Sequence, residues 1–332
     1  MQNFYKNKKI LITGSSGFVG SWLSIALHEM GASVYGISLR PNTSPSLFKL
    51  LNLENKINQK YIDICKFNKL NSAIKEISPD IVFHLAAQPL VRESYEKTIE
   101  TFNTNVIGTL NVLESCKNLS TNINFICITT DKCYENNEFG ERFIESDPMG
   151  GKDPYSASKA CTEILTKSHA LSFDDLKICT ARAGNILGGG DWAKDRIITD
   201  IVKSIQNKVD IVIRSPMAIR PWQHVIDVVN GYLKLAIYNQ EKEEVFESFN
   251  FGPLEENEIT VDTINAKVAD YQPILSAYGR VRTQRTGNLS FGVSLTQPST
   301  VVIYIYDATG REVTRTEPKT CNQGYCFFEN RK

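Results

Sequence analysis

The stretch KKILITGSSGFVGSWLSIALHEM, residues 8–30, decides the fold of this 332-residue chain. KKILITG (8–14) holds a short continuous apolar core, ILI, as expected of a parallel strand covered on both faces. Trp22, Leu23, Ala26, Leu27 and Met30 then recur at the spacing of one helix face. Between strand and helix stands Thr13-Gly14-Ser15-Ser16-Gly17-Phe18-Val19-Gly20. Glycines at 14, 17 and 20 permit a tight turn and let backbone N–H groups and the helix N-terminus approach a pyrophosphate. The alternative, a glycine-rich turn without a ligand, leaves the agreement of strand, spacing and helix without a reason.

Outward from this unit the pattern repeats. SVYGISL (33–39), KYIDI (60–64), DIVFHLAA (80–87), NFICITT (124–130) and KICTARAG (177–184) are β-branched or apolar runs separated by helical stretches. Val106, Leu110, Val112 and Leu113 mark the helix after the fourth strand. The alternation predicts an α/β protein with a doubly wound parallel sheet.

Composition narrows the partners. Lys plus Arg (37) balances Asp plus Glu (37), so no net field attracts a polyanion, and nucleic acid is excluded as a partner. The N-terminal apolar run is too short for a signal-peptide core or a membrane span, which leads to the expectation of a cytoplasmic protein without membrane attachment. Of the eight cysteines, Cys127 and Cys179 lie in apolar runs and read as buried, reduced thiols. Cys321 and Cys326 are a close pair without further ligands at zinc spacing, so no metal site is expected.

Two further constellations carry chemistry. Tyr155-Ser156-Ala157-Ser158-Lys159 falls on a helix predicted to begin near Pro154, and residues four apart share a helix face. The Lys159 ammonium is therefore expected beside the Tyr155 hydroxyl, lowering the ionisation of the phenol toward the range of a general base. Thr129-Thr130-Asp131-Lys132-Cys133-Tyr134 leaves the carboxyl end of the fifth strand, where open α/β sheets bind ligands. Thr130 is placed to hydrogen-bond a sugar hydroxyl, and Asp131 and Lys132 set an acid and a base side by side. The second strand ends in Ser38-Leu39-Arg40 instead of an acidic residue, leaving NAD and NADP both open. Asp63 is either an adenine contact or a solvated strand-end carboxylate.

Gly14–Gly20, HLAAQ (84–88), Asn105, Tyr155 with Lys159, and RAGN (182–185) resemble the extended short-chain dehydrogenase/reductase superfamily, which has a Rossmann sheet. GSWLS (20–24), TTDKCYEN (129–136), GGGDWAKDRI (188–197) and IRPWQHVID (219–227) are similar to the CDP-glucose 4,6-dehydratases within it. The related dTDP-glucose enzymes carry glutamate where this chain has Lys132. The resemblance implies a lyase of deoxysugar and surface polysaccharide (lipopolysaccharide) synthesis, converting CDP-glucose to CDP-4-keto-6-deoxyglucose with internally recycled NAD. It implies catalytic roles for Thr130, Asp131, Lys132, Tyr155 and Lys159. Cofactor contacts follow at Gly14, Ser16, Gly17, Phe18, Val19, Gly20, Arg40, Asp63, Ile64, Leu85, Ala86, Ala87, Asn105, Thr129, Tyr155 and Lys159. Substrate contacts follow at Gln88, Asn185, Arg196, Arg214, Arg220 and His224. The arginines are diphosphate candidates because guanidinium groups match phosphate oxygens bidentately, while Trp222 and His224 are expected to shape the pocket. A homodimer through paired helices is also implied. The alternatives are another sugar-nucleotide dehydratase or 4-epimerase on the same fold, or a cofactor-binding protein without turnover.

The resemblance covers residues 5 to about 260. It implies a cofactor domain over 1–180 and an incomplete sugar-nucleotide region over 181–260, without the Leu-, Trp- and Pro-rich section with which the family ends. An atypical β-rich tail over 261–332 is the third expected part. In it PSTVVIYIYDATGREV reads as a strand, a turn at Asp307–Gly310 and a second strand. NLSFGVSLTQPSTVVIYIYDATGREV weakly resembles a bacterial C-terminal β-sandwich sorting module. A separate small β module, or a join between unrelated segments, is expected to begin within 261–285.

Overall fold

A computed structural model describes residues 1–117, 119, 122–136, 142–207, 216–253 and 259–261, and the backbone of seven short strands between 280 and 329. Six strands form where apolar runs predict them: β1 Lys9–Thr13, β2 Ser33–Ser38, β3 Asn58–Tyr61, β4 Ile81–His84, β5 Ile123–Ile128 and β6 Leu176–Ala183. β3 begins earlier than the KYIDI run. That run turns out of the sheet where Asp63 Oδ1 accepts the Cys65 N–H at 2.9 Å. A further strand, β7 Phe246–Phe251, pairs in parallel with β6. The sheet order is β7-β6-β5-β4-β1-β2-β3, and every pairing in it is parallel. The chain winds one way from β1 through β3 and the other way from β4 through β7. The crevice between β1 and β4 is therefore the switch point at which such sheets bind ligands.

Helices α1 Phe18–Glu29, α2 Phe67–Ile77, α3 Gly108–Lys117, α4 Pro154–Ser172 and α5 Val225–Glu241 cover the sheet. Successive strand residues point to opposite faces. Ile10, Ile12, Phe83 and Ile126 pack with Leu23 and Leu27 of α1 and Val228 and Leu233 of α5. Leu11, Val82 and Phe125 pack with Leu70 and Ile74 of α2 and Val112 and Leu113 of α3. Each such side chain, fully buried, contributes about 1.5–3 kcal/mol. Cys127 and Cys179 are buried in this core, and burial raises both thiols, Cys127 to about 12. They behave as small apolar groups.

The division expected near residue 180 falls inside β6, and the sheet continues to β7 at 246–251. Residues 1–199 and 218–260 form one compact unit. Residues 200–217 and 261–332 form the other. Within that second unit, Leu289–Leu295 pairs antiparallel with Arg280–Thr283 and Gly324–Glu329. Ser299–Val301 pairs with Lys319–Cys321. Tyr304–Tyr306 pairs with Glu312–Arg315, which is the hairpin expected there, with Asp307–Gly310 outside the described residues. The side chains of Cys321 and Cys326 are likewise outside the description. Among the described residues no helix is long and apolar enough to cross a membrane.

Candidate active site

The glycine turn lies at the switch point, and its three glycines have different reasons to be glycine. Gly14 has φ +76°, and a Cβ there would stand 2.8 Å from the Ala86 nitrogen. A Cβ at Gly20 would stand 2.2 Å from the Gly14 oxygen. Both positions are closed by the protein's own backbone. Gly17 is exposed, and its only close neighbour is the Gly14 oxygen, 3.3 Å from an added Cβ. Gly17 therefore leaves room for a ligand over the first turn of α1, whose N–H groups have no carbonyl one turn back. The fit to a dinucleotide pyrophosphate rests on this open side. Phe18 and Val19 are half-buried beside it, and the Ser16 hydroxyl donates to the Leu39 carbonyl at 2.8 Å.

The far end of the crevice is less specific. Arg40 lies over the Tyr61 ring, 4.4 Å from its centroid, and nothing acidic at the end of β2 selects against a 2′-phosphate. Asp63 is half-buried with one oxygen on the Cys65 N–H, and Ile64 is buried against Gly108. On the β4 side, Leu85 N–H bonds the Thr13 carbonyl at 3.1 Å and Ala86 N–H bonds Thr13 Oγ1 at 3.2 Å. Leu85, Ala86 and Ala87 thus form the half-buried wall opposite the turn.

Two predicted ligand contacts also have partners within the protein. Asn105 is buried. Its Oδ1 accepts the Gln88 N–H at 2.8 Å, and its Nδ2 donates to the Gln88 carbonyl at 3.2 Å and to Ser158 Oγ at 2.8 Å. The Gln88 amide bonds both backbone groups of Leu90 and the Thr101 hydroxyl. Both amides therefore fix the loop after β4 and tie it to α4.

Helix α4 begins as predicted. Asp153 accepts the Ser156 N–H at 3.0 Å and the Ser156 hydroxyl at 2.6 Å, and Pro154 fills the first helical position. Lys159 Nζ donates to the Ile128 carbonyl at 3.0 Å, and burial pushes its ionisation down. Tyr155 is buried as well, which raises its phenol to about 12, against lowering by a hydrogen bond with Thr130 and by the charge of Arg196. Asp131 and Asp153 raise it further. Helical spacing fixes the face that the two residues share, and burial raises the phenol.

After β5, Thr129 closes on the sheet and Thr130 starts a short turn, Asp131–Cys133. Thr130 Oγ1 donates to Asp131 Oδ1 at 3.0 Å and accepts the Lys132 N–H at 3.4 Å. Lys132 Nζ donates to the same Asp131 oxygen at 3.1 Å and to Asn185 Oδ1 at 3.4 Å. The predicted acid and base are thus one hydrogen-bonded ion pair. Lys132 is 38% exposed and faces a carboxylate. Asn185 holds Lys132 through its amide, and its carbonyl accepts the Gln223 N–H at 2.8 Å.

Of the diphosphate candidates, Arg196 is close enough to Tyr155 to bias its ionisation, and its buried Nε has no partner among the described residues. The buried Trp222 indole N–H has none either. Arg220 is exposed and bonds the Ile219 carbonyl at 3.0 Å. His224 caps α5 by accepting the Ile226 N–H at 3.3 Å. Arg214 lies outside the described residues.

The sequence reading missed the support beneath the site. Glu163, one turn beyond Lys159 on α4, accepts from Thr129 Oγ1, from Thr180 Oγ1 at 2.8 Å and from Arg182 Nη2 at 2.9 Å. Arg182 also donates to the Tyr134 hydroxyl at 2.8 Å and the Glu145 carbonyl at 2.9 Å. Tyr134 continues to Asn250 on β7 at 2.6 Å. Threonine inside the apolar run of β6 was the available signal, because a polar strand residue buried on both faces needs a partner.

A parallel sheet of this order, a glycine turn at its switch point and a buried tyrosine and lysine four apart define an extended short-chain dehydrogenase/reductase. The chain belongs to the NAD dependent epimerase/dehydratase family, which matches residues 10–252. It is 45% identical over 277 residues to a CDP-glucose 4,6-dehydratase of Salmonella typhimurium, covering 80% of this chain and 77% of that protein. A dTDP-D-glucose 4,6-dehydratase of Dictyostelium discoideum is 30% identical over 68% of this chain and 54% of its own length. The fold is shared with the UDP-glucose 4-epimerase of Thermus thermophilus, solved in complex with NAD. The TM-score is 0.69 at 24% identity over 79% of this chain and 83% of that one.

Proposed function

We propose that the chain is a lyase that converts CDP-glucose to CDP-4-keto-6-deoxyglucose. The observation that carries this reading is the hydrogen-bonded Thr130–Asp131–Lys132 row beside Tyr155. Removing water across C5 and C6 needs a base for the C5 proton and an acid for the C6 hydroxyl, in addition to the group that serves C4. A 4-epimerase has no use for that second acid and base. A protein that only binds cofactor needs none of the three. Lys132 and the 45% identity to the Salmonella enzyme support the cytidine donor over the dTDP donor.

Bound NAD would supply the hydride acceptor for C4 and the hydride donor for C6. Tyr155 receives the C4 hydroxyl proton, assisted by Thr130 and Lys159. The resulting ketone acidifies the C5 hydrogen. Asp131 protonates the departing C6 hydroxyl, and Lys132 takes the C5 proton and gives it back. Transfer of the Lys132 proton to Asp131 along their 3.1 Å hydrogen bond would give the acid and the amine that these two roles require. Arg196 is assigned to the substrate diphosphate. The turn at Gly14–Gly20 and the wall at Leu85–Ala87 hold the cofactor, with Arg40, Asp63, Ile64 and Thr129 along its length.

Exposed apolar side chains at Tyr95 and Ile99, and at Ile164 and Leu171 of α4, support a homodimer through these helices. The proposed setting is cytoplasmic synthesis of deoxysugars for surface polysaccharides such as lipopolysaccharide. The test is to incubate the protein and NAD with CDP-, dTDP-, GDP- and UDP-glucose and follow the alkali-induced absorbance of a 4-keto sugar. Product from CDP-glucose alone is expected. Product from another donor, or from none, overturns the assignment.

A further inference from the structure

The carboxyl ends of β2 and β3, where a sheet of this kind meets the adenosine ribose of a dinucleotide, are built here from neutral groups and one cation. Ser38 and Tyr61 pair in register at these two ends. Ser15 Oγ donates to Gln59 Oε1 at 2.8 Å, and Gln59 Nε2 donates to Ser38 Oγ at 3.0 Å, so the polar side chains beneath are uncharged and bonded to one another. From Ala32 to Leu53 the sequence has no Asp or Glu, and its two cations are Arg40 and Lys49. Arg40 is exposed, yet its guanidinium is held over the Tyr61 ring, 4.4 Å from the centroid. That ring is fixed in turn, because the Tyr61 hydroxyl donates to Glu54 Oε1 at 3.0 Å. Among the described residues no carboxylate pairs with the Arg40 guanidinium. The Ser16 hydroxyl, donating to the Leu39 carbonyl at 2.8 Å, ties the glycine turn to the residue before Arg40.

We propose that this site takes NADP as well as NAD, and that Arg40 sets the balance by holding the 2′-phosphate. The inference rests on the cofactor site and not on the choice of sugar donor. A carboxylate at the end of β2 would bond a free ribose 2′-hydroxyl and repel a phosphate in the same place. Here the carboxylate is missing, so NAD gains nothing from it and NADP meets no repulsion. A guanidinium supplies the opposite preference, because its N–H donors match two phosphate oxygens at once. Stacking on Tyr61 restrains Arg40 in advance, so less side-chain freedom is lost when a phosphate binds. The 2′-phosphate stands on the ribose remote from the nicotinamide, so both dinucleotides offer the same hydride acceptor. The rival role for Arg40 is a platform for the adenine ring, which would serve NAD and NADP equally.

The test is a pair of binding titrations on the full-length protein freed of bound nucleotide, with NAD and NADP by calorimetry and with NADH and NADPH by nicotinamide fluorescence. Wild type is expected to bind the 2′-phosphorylated form at least as tightly as the other. Arg40→Ala should weaken NADP about tenfold or more, the worth of a charged hydrogen bond, and NAD by less than about threefold. Arg40→Asp should weaken NADP about 10²-fold while NAD binding holds or improves. Added KCl should weaken NADP more than NAD in wild type, and that difference should shrink in Arg40→Ala, since an exposed charge pair is screened by salt. Wild type that binds NADP more than about threefold more weakly than NAD overturns the assignment of Arg40. An Arg40→Ala protein that weakens both dinucleotides alike, as the adenine platform requires, or that weakens neither, overturns it as well. Protein that binds neither dinucleotide removes the cofactor site itself, and the assignment with it.

Discussion

Two acid–base pairs stand within a few residues of each other and differ in what surrounds them. Glu163 and Arg182 are 2% and 5% exposed, and each is held by several hydrogen bonds. Asp131 and Lys132 are 28% and 38% exposed, at the open end of β5, with Asn185 and Thr130 as their other partners. The buried pair cannot exchange protons without leaving a charge in a dry site, so it can only support. The half-exposed pair lies in a higher dielectric, can change protonation and can meet a substrate. The same charges thus serve as a brace in one place and as reagents in the other.

The sharpest way to break this comparison is Lys132→Ala. Steady-state formation of the 4-keto-6-deoxy product is expected to fall about 10²- to 10⁴-fold, the usual contribution of a positioned base. Single-turnover NADH formation should persist, and urea unfolding should move by less than about 1 kcal/mol, as for exposed ion pairs. Normal product release would remove Lys132 from the chemistry. Glu163→Ala should do the reverse to the fold. Leaving Arg182 buried without its carboxylate is expected to cost about 3–5 kcal/mol in chemical denaturation, with activity per folded molecule reduced far less than in Lys132→Ala. Equal losses of stability from the two variants would erase the distinction.

His84 sharpens the same point with a smaller effect. It is buried between the Thr13 and Thr109 hydroxyls at 2.7 and 2.8 Å, and burial first, then the charge of Lys159, lowers its ionisation to about 3. The unfolded chain therefore binds a proton, near the ordinary value of about 6.5, that the folded chain refuses. This contribution to stability is complete above about pH 6.5 and is lost on acidification toward about pH 3, by at most about 1.4 kcal/mol per pH unit. Thermal unfolding between about pH 7.5 and 5 should show the fall, and His84→Asn should flatten it. An unchanged slope in that variant would assign the acid sensitivity elsewhere.

The sheet was legible because β1, β4 and β5 are continuous apolar runs, and the glycine turn because its spacing admits few other structures. β7 was not. FESFNF alternates, and all of its residues are half-buried, so it lacks the signature of a doubly covered strand. At the site, the sequence put Asp131 beside Lys132 and Tyr155 on the face of Lys159. Burial depth has no sequence period, and for that reason the phenol is raised where spacing predicted it lowered. Glu163 was hidden by its position four residues after Lys159, which reads as an ordinary helix surface pair. Asn105 and Gln88 stood out as polar residues near a ligand, but only their bonded partners show that they hold the loop.

The dehydratase account is tested most directly by following the hydrogens. With CDP-glucose carrying deuterium at C4, in ordinary water, the expected product is a 4-keto sugar with the deuterium at C6. Deuterium returned to C4 in a hexose of inverted configuration, or lost to free NADH without any 6-deoxy product, would contradict it.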